Sequence, residues 1–262
     1  MELTLYQIDA FANRVFEGNP AAICALDDWL PDELMQSIAA ENNLSETAYF
    51  IKTSNGYHIR WFTPTHEVDL CGHATLASAY VIFNILGYEK KEIIFESKSG
   101  LLKVTQNNDW LEMDFPSQAL VQCPVPEQIL SAFNEKPIAS LKSEDYIVVF
   151  ENEESILNAS PDLVTLSELD LRGIAITAKS KEYDFVSRFF APNYGINEDP
   201  VTGSAFSQLI PYWSRKFNKK SLSAKQVSKR GGEVKCVDLG DRVKISGKAV
   251  KYMTATIEVE TG

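Results

Sequence analysis

Gly72-His73-Ala74-Thr75-Leu76-Ala77-Ser78-Ala79-Tyr80-Val81-Ile82-Phe83-Asn84-Ile85-Leu86 is the stretch on which the fold turns. From Ala74 to Leu86 it is apolar on almost every side, and a helix of that kind must be enclosed all round. It stops short of the ~18 apolar residues that a membrane span needs. A wrap of strands around one central helix would enclose it. A second glycine, Gly203, opens a comparable helix over Ala205 to Trp213, so the chain is expected to hold two such centres.

The two centres belong to an internal repeat, the signature to be sought before any single motif. Arg60-Trp61-Phe62-Thr63-Pro64 is echoed by Arg188-Phe189-Phe190-Ala191-Pro192, and Gly72 by Gly203. Gly100-Leu101-Leu102-Lys103 and Asp109 to Met113 recur as Gly232-Glu233-Val234-Lys235 and Asp241 to Ile245. The offsets are 128, 131 and 132 residues, near half of the 262-residue chain. This order predicts two similar α/β halves, residues 1–117 and 118–262, and leaves open whether the last strand stays with the second half or crosses back to the first.

Local patterns fill in the elements. Pro31 can start a helix that places Leu30, Leu34 and Ile38 on one face and ends near Asn42-Asn43. Thr47 to Lys52 and Tyr57 to Phe62 flank Asn55-Gly56, a pair that tolerates the positive φ angles of a tight hairpin turn. Ile93 to Phe95, Leu101 to Thr105 and Trp110 to Phe115 supply further strands. In the second half, Tyr146 to Phe150, Ile174 to Thr177 and Tyr183 to Phe190 read as strands. Ser160-Pro161 reads as a helix start, and several short strands lie between Gln226 and Glu260.

Composition excludes several classes. With 45% hydrophobic and 23% charged residues the chain is globular rather than disordered. Its net charge of −11 disfavours nucleic acid or an acidic membrane as general partners. One segment, Lys216 to Lys235, holds seven Lys or Arg against the single acid Glu233. A solvated face explains it, and so would a field that draws a small anion. The four cysteines, Cys24, Cys71, Cys123 and Cys236, show no C-x-x-C spacing, which argues against disulfides or zinc and for a reducing cytoplasm. Met1 to Tyr6 predicts no export signal.

The chemistry is expected at the two helix starts, Asp69-Leu70-Cys71-Gly72-His73 and Asp199-Pro200-Val201-Thr202-Gly203-Ser204. A helix N-terminus offers unpaired N–H groups, and glycine lets a ligand approach the backbone. Facing one another across a cleft between the halves, two such ends would hold a carboxylate and stabilise an enolate-like transition state. Glu46, in Leu44-Ser45-Glu46-Thr47-Ala48, is the strongest candidate for general acid/base. Its counterpart region, Leu171-Arg172-Gly173-Ile174-Ala175, has no acid, which points to one base rather than a pair. His73 suits a proton relay or a substrate donor. His58 falls in the hairpin. His66, Glu67 and Asp69 match no established metal spacing, so no metal is expected. Nucleotide-binding and serine-hydrolase motifs are absent.

These residues resemble the phenazine-biosynthesis PhzF-like family, which shares the diaminopimelate epimerase fold. The resemblance spans nearly the whole chain. It is carried by Gly18-Asn19-Pro20-Ala21, Leu44 to Ala48, Arg60 to Pro64, Asp69 to Ala77 and Glu198 to Ala205. It implies an α+β fold of two pseudo-symmetric barrel-like halves, each a strongly curved, mostly antiparallel sheet around a central helix. It also implies an isomerase that needs no cofactor, works on a small carboxylated metabolite and forms homodimers. By the same resemblance Glu46 is the catalytic acid/base, and His73, Asp199 and Ser204 line the site. Gly72 and Gly203 then offer backbone donors, with Asn19, Cys71 and Thr202 beside the substrate. The better-understood branch of the family shifts a hydrogen within a dihydro-hydroxyanthranilate. The Asp69-Leu70-Cys71 approach looks like a broader group whose substrates are unassigned. Epimerase cousins use two thiols as acid and base. Here Cys71 matches the first, but Thr202 occupies the second place. An epimerase or racemase, and a non-catalytic binder of small anions, are the alternatives.

Overall fold

The computed structural model describes residues 1–260. Its elements, in chain order, begin with β1 Glu2–Ala10, β2 Asn19–Leu26, α1 Asp32–Asn42, β3 Glu46–Lys52, β4 Tyr57–Phe62, β5 Glu67–Val68, α2 Gly72–Tyr80, β6 Glu92–Ser97, β7 Gly100–Asn107 and β8 Trp110–Pro116. They continue with β9 Val121–Gln122, α3 Glu127–Ala132, β10 Ala139–Lys142, β11 Tyr146–Val149, α4 Glu153–Leu157, α5 Leu163–Leu166, β12 Ile174–Lys179, β13 Phe185–Ala191 and β14 Ile196–Asp199. The chain ends with α6 Phe206–Phe217, β15 Ser221–Gln226, β16 Gly232–Asp238, β17 Arg242–Gly247 and β18 Ala249–Glu258. The fold is α+β, rich in strands and poor in helices. No described helix is long and apolar enough to cross a membrane.

Two compact units divide these elements. The first is Met1–Asp114 together with the chain from Ser246 onward, and the second is Phe115–Ile245. Strand β18 pairs antiparallel with β1 along nearly its whole length, Glu2 against Glu258 through Ala10 against Ala249.

In the first unit, α2 is buried from His73 through Ala79 and packs against β1, β2, β3 and β18. His73, Thr75 and Ser78 are indifferent helix formers, costing up to about 0.7 kcal/mol each. Burying a side chain such as Leu76 returns about 1.5–3 kcal/mol, so packing rather than propensity holds this helix. On the other side of the strands lies α1, with Met35, Ile38 and Ala39 against Leu5, Cys24, Tyr49 and Phe62. Covered on both faces, β2 reads as a near-continuous buried run rather than an alternating one. The second unit repeats this layering. Helices α3, α4 and α5 cover one cluster (Ile129, Val148, Ile156, Leu166, Ile176, Phe190), and α6 buries Phe206, Leu209, Ile210 and Trp213.

Strand pairing repeats as well. In the first unit β1–β2 is antiparallel, β2–β3 parallel, β3–β4 antiparallel, β4–β6 parallel and β6–β7 antiparallel. In the second, β10–β11, β11–β12, β12–β13, β13–β15 and β15–β16 run through the same sequence of senses. An ion pair is duplicated with them. Arg60 on β4 is held in a fork by Glu67 and lies over the Phe62 ring at 5.1 Å. Arg188 on β13 is held likewise by Glu198 and lies over Phe190 at 5.1 Å.

Four local expectations are corrected. The hairpin β3–β4 closes with Lys52 opposite Tyr57, so its loop is Thr53 to Gly56, and neither Asn55 nor Gly56 has positive φ. Gly56 is needed for space: a Cβ there would stand 2.1 Å from the Ile94 carbonyl oxygen. The helix expected at Ser160-Pro161 starts later, because the Asp162 carboxylate accepts from the Val164 N–H and caps α5. The helix opened by Gly72 is α-helical only to Tyr80 and continues as a π turn over Val81–Ile85. There Asn84 donates from its side chain to the Tyr80 carbonyl, competing with the backbone ladder. Gly203 opens a 3₁₀ turn, Gly203–Ala205, and α6 proper starts at Phe206.

Two outcomes test this packing. Gly56→Ala will lower the unfolding free energy by about 1–3 kcal/mol in a denaturant titration, because the strand or Ile94 must shift; an unchanged midpoint would refute the close approach. Hydrogen bonds from Arg60 hold the Glu67 carboxyl down to about 2. A depressed carboxyl stabilises the fold above its unfolded range near ~4.3 and loses that contribution as pH falls toward about 2. Glu67→Gln will therefore flatten the acid limb of the stability profile, whereas an acid limb identical to that of the parent protein would refute the pairing.

Candidate functional site

In the first unit the start of α2 meets the starts of β2 and β3. Gly18, at φ +65, has no room for a side chain, since a Cβ would lie 2.0 Å from the Ala10 carbonyl oxygen. The chain therefore turns sharply there and delivers Asn19, fully buried, as the first residue of β2. Parallel pairing sets Glu46 beside Ala21 at the start of β3. Cys71 precedes α2 in extended conformation, and its carbonyl accepts from both the N–H and the hydroxyl of Thr75. That fixes the first turn and aims His73 back toward the strands.

The result is a buried cluster of four sequence-predicted residues. His73 Nε2 lies 3.1 Å from Glu46 Oε2, with side-chain exposures of 7% and 14%. On the other side of the ring, Nδ1 lies 3.3 Å from the Asn19 amide nitrogen and 3.5 Å from Cys71 Sγ. Ser45 donates to Asn19 Oδ1 at 3.4 Å. An amide carries both a donor and an acceptor, so Asn19 can serve either protonation state of the ring by turning. Glu46 Oε2 and His73 Nε2 are within ion-pairing distance of each other, and neither atom has a further hydrogen-bond partner within the protein. Such atoms are costly when buried and call for a functional explanation.

Charge in the cluster is lopsided. Burial, reinforced by the Glu46 charge, pushes the Cys71 thiol up to about 11, so it is uncharged at neutral pH. Burial works against a charged His73, but the hydrogen bond to the Cys71 sulfur and the charge of the Glu46 carboxylate favour it, and His73 is raised well above its ordinary value. Glu46, Cys71 and His73 place ligand-capable atoms within 4.8 Å of one another. They do not converge on one point. The imidazole shows Nε2 to Glu46 and Nδ1 to Cys71, and an ion can take only one ring nitrogen, so a three-ligand site would need the ring to turn.

The second unit builds a different cluster around Gly203. Thr202 donates its hydroxyl to Asp199 Oδ2 at 2.6 Å, and its backbone N–H donates to Gln226 Oε1 at 2.9 Å. Gln226 Nε2 in turn donates to the Asp199 carbonyl at 2.7 Å. The Ser204 oxygen accepts from Arg172 Nη2 at 3.1 Å, and Arg172 is gripped by the fully buried Asp145. The structure thus groups Glu46, His73, Cys71, Gly72 and Asn19 in one unit and Asp199, Thr202, Gly203 and Ser204 in the other. Sequence reasoning missed Gln226, Asp145 and Arg172. The one available signal was Arg172 itself, an arginine in the stretch that matches the Glu46 region. The remaining histidines are structural. His58 packs edge-on against Trp29, and His66 closes a turn with Thr63 and Thr65. Glu67 is committed to Arg60 and Lys98.

Residues 8–255 match the family of phenazine biosynthesis-like proteins, PhzC-PhzF. An uncharacterized isomerase of Pseudomonas aeruginosa is 49% identical over 99% of this chain and 100% of its own length. The crystal structure of a phenazine biosynthesis protein of the PhzF family from Enterococcus faecalis superposes with a TM-score of 0.97 at 43% identity, over 99% of this chain and 100% of that one. A hydroxyproline epimerase from Agrobacterium vitis shares the fold alone, with a TM-score of 0.60 at 9% identity over 98% of this chain and 92% of that one. On matches that run the length of both partners, the chain belongs to the phenazine biosynthesis-like PhzC-PhzF family and is an isomerase.

Proposed function

We propose that this isomerase works without a cofactor, moving a proton on a small carboxylate-bearing substrate with Glu46 as the general acid/base. The observation that carries the reading is the Glu46–His73 pair, two ionisable groups 3.1 Å apart whose facing atoms are buried and have no further hydrogen-bond partner in the protein. In the forward step the Glu46 carboxylate takes a proton from carbon, and the electron pair moves into the substrate's conjugated carboxylate as an enolate. In the return step the carboxylic acid so formed gives a proton to a different carbon, and the double bond shifts. His73 steadies the carboxylate while it is charged and can pass it a proton, an assistance typically worth about 10²–10⁴ in rate.

One base rather than two is supported by register. Phe62 pairs with Thr47 and Phe190 with Ile174, so Gly173 stands where Glu46 stands in the first unit. A Cβ on Gly173 would lie 2.7 Å from the Phe189 ring and 2.7 Å from the Phe190 carbonyl oxygen, leaving no space for a second carboxylate. The two-thiol alternative has little support. Thr202 stands where a second cysteine would be needed, and burial keeps Cys71 protonated. Asp199 and Ser204 remain in the proposed set as groups that bind and orient substrate, as do Asn19, Gly72, Cys71, Thr202 and Gly203. A homodimer is the proposed assembly.

The test is conversion of a panel of unsaturated carboxylates, a dihydro-hydroxyanthranilate among them, in D₂O, with isomer formation and deuterium uptake followed by proton NMR. The protein will convert at least one, and Glu46→Gln will slow that conversion at least ~10³-fold with its melting temperature little changed. Normal turnover by Glu46→Gln would move the base elsewhere, and failure of the parent protein to convert any of the panel would count against an unsaturated carboxylate as its substrate. Cys71→Ser will keep turnover within about tenfold; loss comparable to that of Glu46→Gln would revive thiol catalysis.

A further inference from the structure

We propose that Arg172, anchored by Asp145, is a positioning residue that holds the Ser204 oxygen and turns the hydroxyl proton outward, as a hydrogen-bond donor to an anionic oxygen of the substrate. A serine hydroxyl has one proton and two lone pairs. Arg172 Nη2 occupies a lone pair at 3.1 Å. Arginine cannot accept, so the proton must point to another acceptor, and a cationic donor on the oxygen strengthens the hydroxyl as a donor in its turn.

The guanidinium is unusually well fixed for this task. Nε and Nη2 form a fork on Asp145, at 2.9 and 2.6 Å. Asp145 is fully buried and is itself clamped by Gln208 of α6, which donates to Oδ2 at 2.6 Å and accepts from the Asp145 N–H at 3.2 Å. The plane of Arg172 rests over the Phe189 ring at 5.5 Å, and Nη1 reaches Glu144 at 3.1 Å. Asp199 also acts on it through its charge.

The scaffold does not require this assembly. By the register that equates Glu46 with Gly173, Arg172 stands in the place of Ser45. Tyr146 pairs with Ile174 as Ala22 pairs with Thr47, so Asp145 stands in the place of Ala21. The first unit builds the same strands with an alanine and a serine there. Pairing a charge with a fully buried carboxylate such as Asp145 carries a desolvation cost that an apolar pair of similar size avoids, so stability alone does not account for it. Here the added geometry ends on Ser204, which matches His73 in the repeat.

The inference rests on Ser204 belonging to the substrate-binding set, but its test needs no substrate. Ser204→Cys puts a thiol at the Arg172 donor, and iodoacetamide alkylation across pH, read by mass spectrometry of the peptide that spans position 204, reports the thiolate fraction there. Adding Arg172→Gln will slow alkylation at neutral pH about tenfold and move the profile to higher pH by about one unit. Arg172→Gln with Asp145→Asn removes both charges and guards against a fold upset by an unpaired Asp145. It will shift the profile in the same direction, and Arg172→Lys will fall between. Profiles that coincide in the presence and absence of the guanidinium, with folding verified by circular dichroism, would overturn the assignment to Arg172. Such a result would leave the Glu46 reading to its own test.

Discussion

Helix α2 has no face to spare for solvent. With every side chain from His73 to Ala79 buried, strands must close around it, and the closure dictates what surrounds its first turn. Two of those strands, β2 and β3, begin beside that turn, so Asn19 and Glu46 are the residues the enclosure brings against His73. The site is thus a by-product of burying one apolar helix. Enclosing the helix buries His73 and Cys71 and the facing oxygen of Glu46, and charges act more strongly on one another where water is excluded.

The second unit shows what the same geometry yields when the residues change. Strand senses and the Arg–Glu fork recur, yet Glu46 becomes Gly173, His73 becomes Ser204, Cys71 becomes Thr202 and Ser45 becomes Arg172. One unit holds a carboxylate and an imidazole suited to moving a proton. The other holds a guanidinium, a hydroxyl and a network around Asp199 suited to binding and orientation. Matching strands thus carry different groups in the two units, as the proposed single acid/base requires.

Much of this was legible in the sequence because it is local. The apolar run after Gly72, the echo of Arg60 in Arg188, and Glu46, His73 and Cys71 within short motifs all declare themselves over a few residues. The Asn55-Gly56 hairpin was legible for the wrong reason, since Gly56 answers to the Ile94 carbonyl rather than to a φ angle. Asp145, Arg172, Gln208 and Gln226 were not legible, because they meet only through strand register and a helix turn, 24 to 63 residues apart along the chain. The 3₁₀ start at Gly203 and the π turn after Tyr80 escaped because periodicity of apolar residues barely distinguishes one kind of helical turn from another.

The central claim is that Glu46 and His73 share one charge-coupled, buried environment and act as a unit. Nitrogen-15 NMR of the His73 side chain, titrated in the parent protein and in Glu46→Gln, tests it most directly. The account predicts a midpoint well above the ordinary 6.5 in the parent protein and a clear fall once the carboxylate is neutralised. A His73 midpoint that is the same in both proteins would contradict it.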